Sequence, residues 1–277
     1  MPAPRPPQHL PEMSRAGADA AHPVLAVDEN GHVRAGAVPA ERPLTLYVDR
    51  REIVTLMTVG TQPELLALGY LRNQGLVDEL DDILAVQVDW EVEAAAVTTR
   101  RGIGDWEAQL GRRTVTTGCG QGTVFGSLME KIEHTRLEAP LLPVAALHEL
   151  AEAMRVRDTL YKHTGSIHGC ALARGGEVLC FYEDVGRHNA VDAIAGWMWL
   201  NGVDGADTLF YTTGRLTSEM VMKVARMGVP VLTSRSGTTQ MGLDIARRTG
   251  VTLVGRLRGR HFLVYHGAER IAFAPVP

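Results

Sequence analysis

The feature that most restricts the fold is an alternation of short apolar runs and amphipathic stretches in the second half of the chain. Strands are predicted at residues 178–182, 208–212, 229–233 and 251–257, and helices at about 188–200, 217–227 and 238–248. Gly228 and Gly250 stand where helix C-caps belong, and Pro230 begins the next strand. This alternation predicts an α/β domain in which helices cover a sheet that is at least partly parallel.

The first half of the chain has a different pattern. Alternating residues from Pro43 and a second run at 52–57 predict a β-hairpin. A helical stripe then runs from Pro63 to Gly75, and two more strands are predicted between residues 83 and 100. After Pro143 a second helical pattern extends to about Tyr161.

Three regions follow from these patterns. Eight of the fourteen prolines lie within the first 43 residues, which predicts a disordered Pro/Ala-rich head at residues 1–40. Residues 41–140 are predicted to form a smaller N-terminal α+β domain. Residues 141–277 are predicted to form the larger α/β domain.

The composition excludes several classes of protein. With 277 residues, 45% hydrophobic and 22% charged, the chain has the profile of a globular protein of one large or two small domains. No apolar run approaches the roughly 18 residues of a membrane span, and the first residues lack the apolar core of a secretory signal. Three cysteines cannot all pair within one chain, so we expect a reducing cytoplasm.

Charge is unevenly distributed. The segment from Arg226 to Arg270 contains eight arginines and two acidic residues, which gives it a net charge of +6. Because the whole chain has a net charge of −4, the remaining residues together carry −10. An arginine-rich segment in an acidic protein indicates a defined anionic ligand rather than nucleic acid. Ordinary solvated surface arginines explain it equally well.

Cys119 lies in a stretch rich in glycine and threonine, residues 111–127, which we expect to be a mobile loop. Glycines flank the cysteine on both sides and leave its sulfur unobstructed, as a reactive thiol requires. Most free cysteines act as small buried hydrophobes instead. That description suits Cys180, which lies in an apolar run, better than Cys119.

Polar clusters follow three of the predicted strands, at residues 183–189, 213–219 and 234–239. Each contains glycine and arginine, and the second and third also contain serine and threonine. All three lie at the start of a predicted helix, where backbone N–H groups favour an anion. If the strands are parallel, these junctions share the sheet edge at which α/β folds bind ligands. Helix capping is the alternative explanation for each of them, although residues 183–189 contain more polar groups than a cap requires.

A basic turn follows the last predicted strand of the alternating pattern. Its arginines suit the bidentate binding of phosphate groups, although basic hairpin tips are common. The residues of this turn are Arg256, Leu257, Arg258, Gly259, Arg260 and His261.

These motifs together resemble the FdhD family, the formate dehydrogenase accessory sulfurtransferases. The most specific likeness is the string EDVGRHNAVD at residues 183–192. The loop around Cys119, the segments at 163–168 and 214–223, and the strand at 252–255 with its basic turn match in the same order. The resemblance extends from about residue 41 to the C-terminus.

The resemblance implies a fold, a reaction and partners. The larger domain is expected to resemble cytidine deaminases in a three-layer arrangement without their zinc site, and the protein to be a cytoplasmic homodimer. It implies that Cys119 accepts sulfur from a cysteine desulfurase as a persulfide. The sulfur then passes to the molybdenum cofactor with two molybdopterin guanine dinucleotides (Mo-bis-MGD), before insertion into formate dehydrogenase. Residues 256–261 match the family's cofactor-binding stretch, and the three junctions are candidates to hold the guanine nucleotide.

One position departs from the family pattern. Many members have a second cysteine in the loop where this chain has Gly122. A chaperone that binds the cofactor without transferring sulfur therefore stays open as an alternative. A zinc hydrolase or deaminase that uses His168, Cys170 and a glutamate is the other, although four ligands with metal spacing are not evident.

Overall fold

The computed structural model describes residues 9–102, 132, 135–138 and 140–273. The strands before residue 100 are β1 (Glu12–Met13), β2 (Ala21–Val27), β3 (Val33–Pro39), β4 (Arg42–Val48), β5 (Arg51–Thr58), β6 (Ile83–Asp89) and β7 (Ala94–Thr99). Five of them form one sheet in the order β1-β6-β7-β4-β5. The antiparallel pairing of β4 with β5 confirms the predicted hairpin, and β6 and β7 confirm the two strands expected at 83–100.

The prediction of a disordered head is wrong for most of residues 12–39. Strand β1 pairs in parallel with β6, and β2 and β3 form an antiparallel ribbon outside the large sheets. Pro23 and Pro39 lie within this ribbon. A two-stranded ribbon consists only of edge strands, where a residue without an N–H is tolerated, so the prolines do not prevent strand formation.

Helix α1 (Pro63–Gln74) covers the first sheet and has the predicted ends. Proline occupies its first turn, where no intrahelical N–H bond is lost, and Gly75 follows the helix with φ 68°. The Gly75 N–H donates to the carbonyl oxygen of Arg72 at 3.0 Å. Leu66, Leu68 and other buried residues of α1 pack against the apolar side of the sheet.

The second sheet has six strands in the order β10-β9-β11-β12-β13-β14. These strands are β9 (His168–Arg174), β10 (Glu177–Asp184), β11 (Leu209–Thr212), β12 (Val231–Ser234), β13 (Thr252–Arg258) and β14 (His261–His266). Strands β10, β11, β12 and β13 run in one direction, whereas β9 and β14 are antiparallel to their neighbours. A short parallel pair, β8 (Leu142–Pro143) with β15 (Ile271–Ala272), lies outside this sheet.

Helices lie on both faces of the second sheet. They are α2 (Val144–Val156), α4 (Arg187–Leu200), α5 (Ser218–Arg226) and α6 (Gln240–Thr249). The short helix α3 (Leu160–Thr164) precedes β9 and has no buried residue. Buried side chains of α4, α5 and α6 form one core with Phe210 and Leu232 of the sheet. Leu147 and Leu150 of α2 form another core with Tyr211 and its neighbours. This is a mixed α/β fold with several sheets; the likeness to cytidine deaminases and the domain boundary at residue 140 stay predictions.

The two halves meet where α1 crosses α4. At the crossing, a Cβ on Gly69 would overlap the carbonyl oxygen of Asp192, and one on Gly196 would overlap that of Leu65. Glycine at both positions therefore lets the helix backbones approach each other closely. Asn73 adds a hydrogen bond across the same interface, from its Nδ2 to Asp192 Oδ1 at 2.7 Å.

Two elements differ from the sequence prediction. The helix expected from Pro143 to about Tyr161 ends at Val156, and α3 begins separately with Thr159 as its N-cap, whose Oγ1 accepts from the Lys162 N–H at 3.3 Å. Strand β9 was not predicted, because its buried run of small residues lacks the β-branched and aromatic side chains that mark a strand. None of the helices in the described ranges is long and apolar enough to span a membrane.

Candidate functional site

The predicted alignment of the three polar junctions is confirmed. Because β10, β11 and β12 run in the same direction, residues 183–189, 213–219 and 234–239 lie along one edge of the second sheet. Hydrogen bonds also join neighbouring junctions: Ser234 Oγ donates to the carbonyl oxygen of Gly214 at 2.6 Å. Helices α4, α5 and α6 all begin at this edge.

The basic turn at residues 256–261 lies beside the third junction. The Arg256 N–H donates to the carbonyl oxygen of Ser236 at 2.8 Å, and Arg256 itself has a φ of 56°. Arg256, Arg258 and Arg260 are exposed, as phosphate binding would need. Leu257 is instead 2% exposed and packs in the core, so its side chain serves the fold.

The edge also contains three arginines, Arg187, Arg215 and Arg235, which we call the arginine triad. All three are near enough for their charges to act on His168, which lies at the start of β9, the strand between β10 and β11. Burial lowers the pKa of His168, and the positive charges of Arg187, Arg235 and Arg215 lower it further. The guanidinium of Arg235 lies 4.8 Å from the ring centre of Tyr161.

Several residues of the 183–189 junction hold the fold together. The Glu183 carboxylate accepts from the backbone N–H groups of Leu160 and Tyr161, at 2.6 and 3.1 Å. Asp184 accepts from the Thr58 hydroxyl at 2.5 Å and from Asn189 Nδ2 at 2.8 Å. Burial raises the pKa of Asp184. These acids therefore join the second sheet to α3 and to β5.

A buried polar network behind this edge was not predicted. His188 Nε2 lies 3.3 Å from Glu219 Oε2, and Lys223 Nζ lies 3.9 Å from the other oxygen of Glu219 and 2.7 Å from Asp192 Oδ2. The side chains of these four residues are 2–7% exposed. Burial, followed by the charge of Lys223, lowers the pKa of His188 well below its usual value. Glu219 and Lys223 are four residues apart on a predicted helix, and this spacing indicates that their side chains lie close together. It does not indicate that Asp192, which is on another helix, also lies close to Lys223.

Comparison with known proteins shows which family has this sequence and fold. The model of the FdhD/NarQ family matches residues 39–272. The chain belongs to the FdhD/NarQ family. Among curated proteins, a sulfur carrier protein FdhD of Geobacillus kaustophilus is 32% identical over 235 residues, which cover 84% of this chain and 89% of that protein.

A sulfur carrier protein FdhD of Listeria monocytogenes is 30% identical, over 85% of this chain and 91% of its own length. Among solved structures, a crystal structure of a putative formate dehydrogenase accessory protein from Desulfotalea psychrophila is similar with a TM-score of 0.73 and 28% identity. It covers 91% of this chain and 98% of its own. The resemblance seen in the sequence motifs is therefore confirmed at the level of the family.

The cysteines of this FdhD/NarQ chain differ in their positions. Cys119, together with Gly122 and the loop predicted around them, lies outside the described residues. Cys170 is fully buried, and its thiol donates to Thr212 Oγ1 at 3.3 Å. Burial raises the pKa of Cys170, and that of Cys180 on β10, to about 12.

The zinc alternative rested on His168 and Cys170. In the described ranges, no group of three His, Cys, Asp or Glu residues has the geometry to hold a metal ion. His168 Nδ1 lies 3.3 Å from Thr213 Oγ1, whereas the Cys170 thiol contacts Thr212. The two predicted ligands therefore each have a threonine partner.

Proposed function

We propose that the protein is a sulfur carrier that supplies sulfur to the molybdenum cofactor of a formate dehydrogenase. Cys119 accepts sulfur from a cysteine desulfurase as a persulfide and transfers it to Mo-bis-MGD before the cofactor is inserted. The family membership, the relatives named sulfur carrier proteins and the solved accessory protein support this role. We also expect a homodimer that acts in the cytoplasm.

The observation that best supports the proposal is the high pKa of the other two cysteine thiols, Cys170 and Cys180. A thiolate, rather than a thiol, attacks a persulfide, so a reactive cysteine needs a low pKa and access to its partner. Neither Cys170 nor Cys180 meets both conditions, because burial raises the pKa of each to about 12 and Cys170 is in addition fully buried. Of the three cysteines of the chain, Cys119 is left to carry sulfur.

Loading of Cys119 is an ordinary exchange reaction at sulfur. Its thiolate attacks the terminal sulfur of the donor persulfide, a new sulfur–sulfur bond forms, and the donor cysteine leaves as a thiolate. No electrons are gained or lost overall. Because Gly122 replaces the second loop cysteine of many relatives, no neighbouring thiol at that position attacks the Cys119 persulfide, and the sulfur remains available for the acceptor.

The basic turn is the proposed binding site for the cofactor, which is the substrate of the transfer. A dinucleotide with several phosphates matches exposed arginines that donate planar pairs of hydrogen bonds. Arg256, Arg258, Arg260 and His261 supply these donors, Gly259 shapes the turn with φ 57°, and Leu257 anchors it in the core.

Replacement of Cys119 tests the proposal. We expect Cys119→Ala to abolish activation of a co-produced formate dehydrogenase, whereas Cys180→Ala, which removes a half-buried thiol, should retain it. Guanine nucleotide binding should be unchanged in both variants. Full activation by Cys119→Ala with nucleotide binding intact would instead identify a chaperone that does not transfer sulfur.

A further inference from the structure

One face of the ribbon formed by β2 and β3 consists only of apolar residues. In an antiparallel pair, directly opposite residues and every second residue along a strand have their side chains on the same side. We call one such set the apolar ribbon face; it pairs Pro23 with Ala37, Leu25 with Ala35 and Val27 with Val33. The other face includes His22 and Arg34, so the two sides of the ribbon differ in polarity.

Most of the apolar ribbon face is exposed. Leu25 is 77% exposed, Val27 68% and Val33 65%. Pro23 and Ala35 are exposed as well. Single exposed apolar residues are ordinary on a protein surface, whereas a contiguous group of five without a charge among them is typical of an interaction surface.

The ribbon that presents this face is fixed at its base and at its tip. At the base, the Ala40 N–H donates to the carbonyl oxygen of Ala20 at 2.8 Å, and β3 lies beside α3. At the tip, the Asp28 carboxylate accepts from the His32 N–H and from Arg34 Nε, each at 2.9 Å. A two-stranded ribbon is only marginally stable alone in water, so a partner that covers its apolar face stabilises it.

The shape of the face fits a second copy of itself. Leu25 on β2 is opposite the small Ala35 on β3, so the centre of the face has a ridge on one strand and a hollow on the other. If two faces pack about a two-fold axis parallel to the strands, Leu25 of each copy lies over Ala35 of the other. Facing apolar layers interdigitate in this way, and a two-fold interface must be self-complementary.

Charge favours the same partner. The chain has a net charge of −4, so two copies repel each other unless they meet through an uncharged surface. The apolar ribbon face is such a surface. A lipid membrane fits less well, because basic residues usually accompany apolar side chains at an anionic membrane, whereas the tip of the ribbon has Asp28 and Glu29.

The size of the face predicts a reversible association. Each strand of the ribbon has seven residues, so the face is about 24 Å long and about 10 Å wide. Two such faces bury less than the roughly 1,200 Å² at the lower end of stable interfaces. We therefore expect the association to depend on protein concentration in the micromolar range.

From these observations we infer that the apolar ribbon face binds the same face of a second copy of this chain. The ribbon spans residues 21–39, whereas the family match begins at residue 39. This contact is therefore an addition to the homodimer expected of the family and does not require it. It is also independent of the sulfur-carrier proposal, since neither Cys119 nor the cofactor takes part.

Sedimentation velocity of the full chain tests the inference. Over a range of about 1 to 100 µM, the sedimentation coefficient of the parent should rise with concentration. Leu25→Asp places a charge at the centre of the face and should raise the concentration of half-association about tenfold or more. Val33→Asp, on the other strand, repeats the test if Leu25→Asp does not fold.

Ala26→Asp is the matched control. It adds the same charge to the same strand but on the opposite face, next to Arg34, and should associate like the parent. If the parent and a folded Leu25→Asp variant have the same sedimentation coefficient at every concentration, the inference is overturned. Should Leu25→Asp then differ from Ala26→Asp only in binding to vesicles of phosphatidylserine and phosphatidylcholine, the face is a lipid contact instead. A lower unfolding temperature of Leu25→Asp alone would show that the same chain covers the face.

Discussion

Lys223 shows how much a single residue contributes to the folded state. It is 2% exposed, lies 2.7 Å from Asp192 and also faces Glu219. Replacement by methionine keeps the length of the side chain but leaves two buried carboxylates without their cation. We expect Lys223→Met to lower the free energy of unfolding by about 3–5 kcal/mol in urea denaturation.

The control for this substitution is Lys162→Met, because Lys162 is exposed on α3. That change should alter the free energy of unfolding by less than about 0.5 kcal/mol. A loss of similar size in both variants would show that the buried network contributes nothing specific to stability.

His188 makes the stability depend on pH. Its pKa in the folded chain lies well below the usual value, whereas in the unfolded chain it returns to about 6.5. Below that pH the unfolded chain binds a proton that the folded chain does not. The stabilisation is therefore complete above pH 6.5 and declines as the pH falls, by up to about 1.4 kcal/mol per pH unit.

Chemical denaturation between pH 5 and pH 7.5 measures this effect. We expect His188→Gln to flatten the dependence of the unfolding free energy on pH, since the variant has no titrating ring. His32→Gln, which removes a histidine whose side chain is 70% exposed, should keep the slope of the parent. Equal slopes in the parent and in His188→Gln would contradict the assignment.

At the scale of whole elements, the close packing of α1 against α4 depends on glycine at positions 69 and 196. In an ordinary helix, Gly→Ala is stabilising by about 1 kcal/mol. At Gly69 and Gly196 a Cβ would overlap a carbonyl oxygen of the other helix, so the helices would have to separate. We expect Gly69→Ala and Gly196→Ala each to destabilise the fold by about 2 kcal/mol or more, measured by thermal unfolding.

Gly36→Ala is the matched control for the crossing. Gly36 lies in β3, and nothing is within 4 Å of the position that its Cβ would take. Its unfolding temperature should be close to that of the parent. If Gly69→Ala unfolded at the same temperature as the parent, α1 and α4 would not approach each other as closely as described.

The elements of the second sheet were predictable where the local pattern is strong. Gly250 takes the left-handed conformation after α6, and the four parallel-running strands were found near their predicted positions. Strand β9 was missed because its small residues are buried between two neighbouring strands and have no periodic pattern. The ribbon of β2 and β3 was not predicted, because a high proline content is typical of disordered segments.

At the scale of the whole molecule, a sequence predicts arrangement better than contact. The common edge of the three junctions followed from strand direction alone. By contrast, the hydrogen bond from Thr58 to Asp184 joins residues 126 positions apart, and that from Asn73 to Asp192 joins residues 119 apart. Patterns within a short stretch of sequence cannot predict contacts between residues so far apart in the chain. The same holds for the unpartnered Nε of Arg187, which becomes visible only when burial is known.

The sulfur path is the central claim about the whole molecule, and mass spectrometry tests it most directly. The intact protein is incubated with a cysteine desulfurase and cysteine, and its peptides are then mapped. The account predicts a mass increase of about 32 Da on the peptide that contains Cys119 and none on those that contain Cys170 or Cys180. Sulfur found on Cys170 or Cys180, or a Cys119→Ala variant that still gains the same mass, would contradict it.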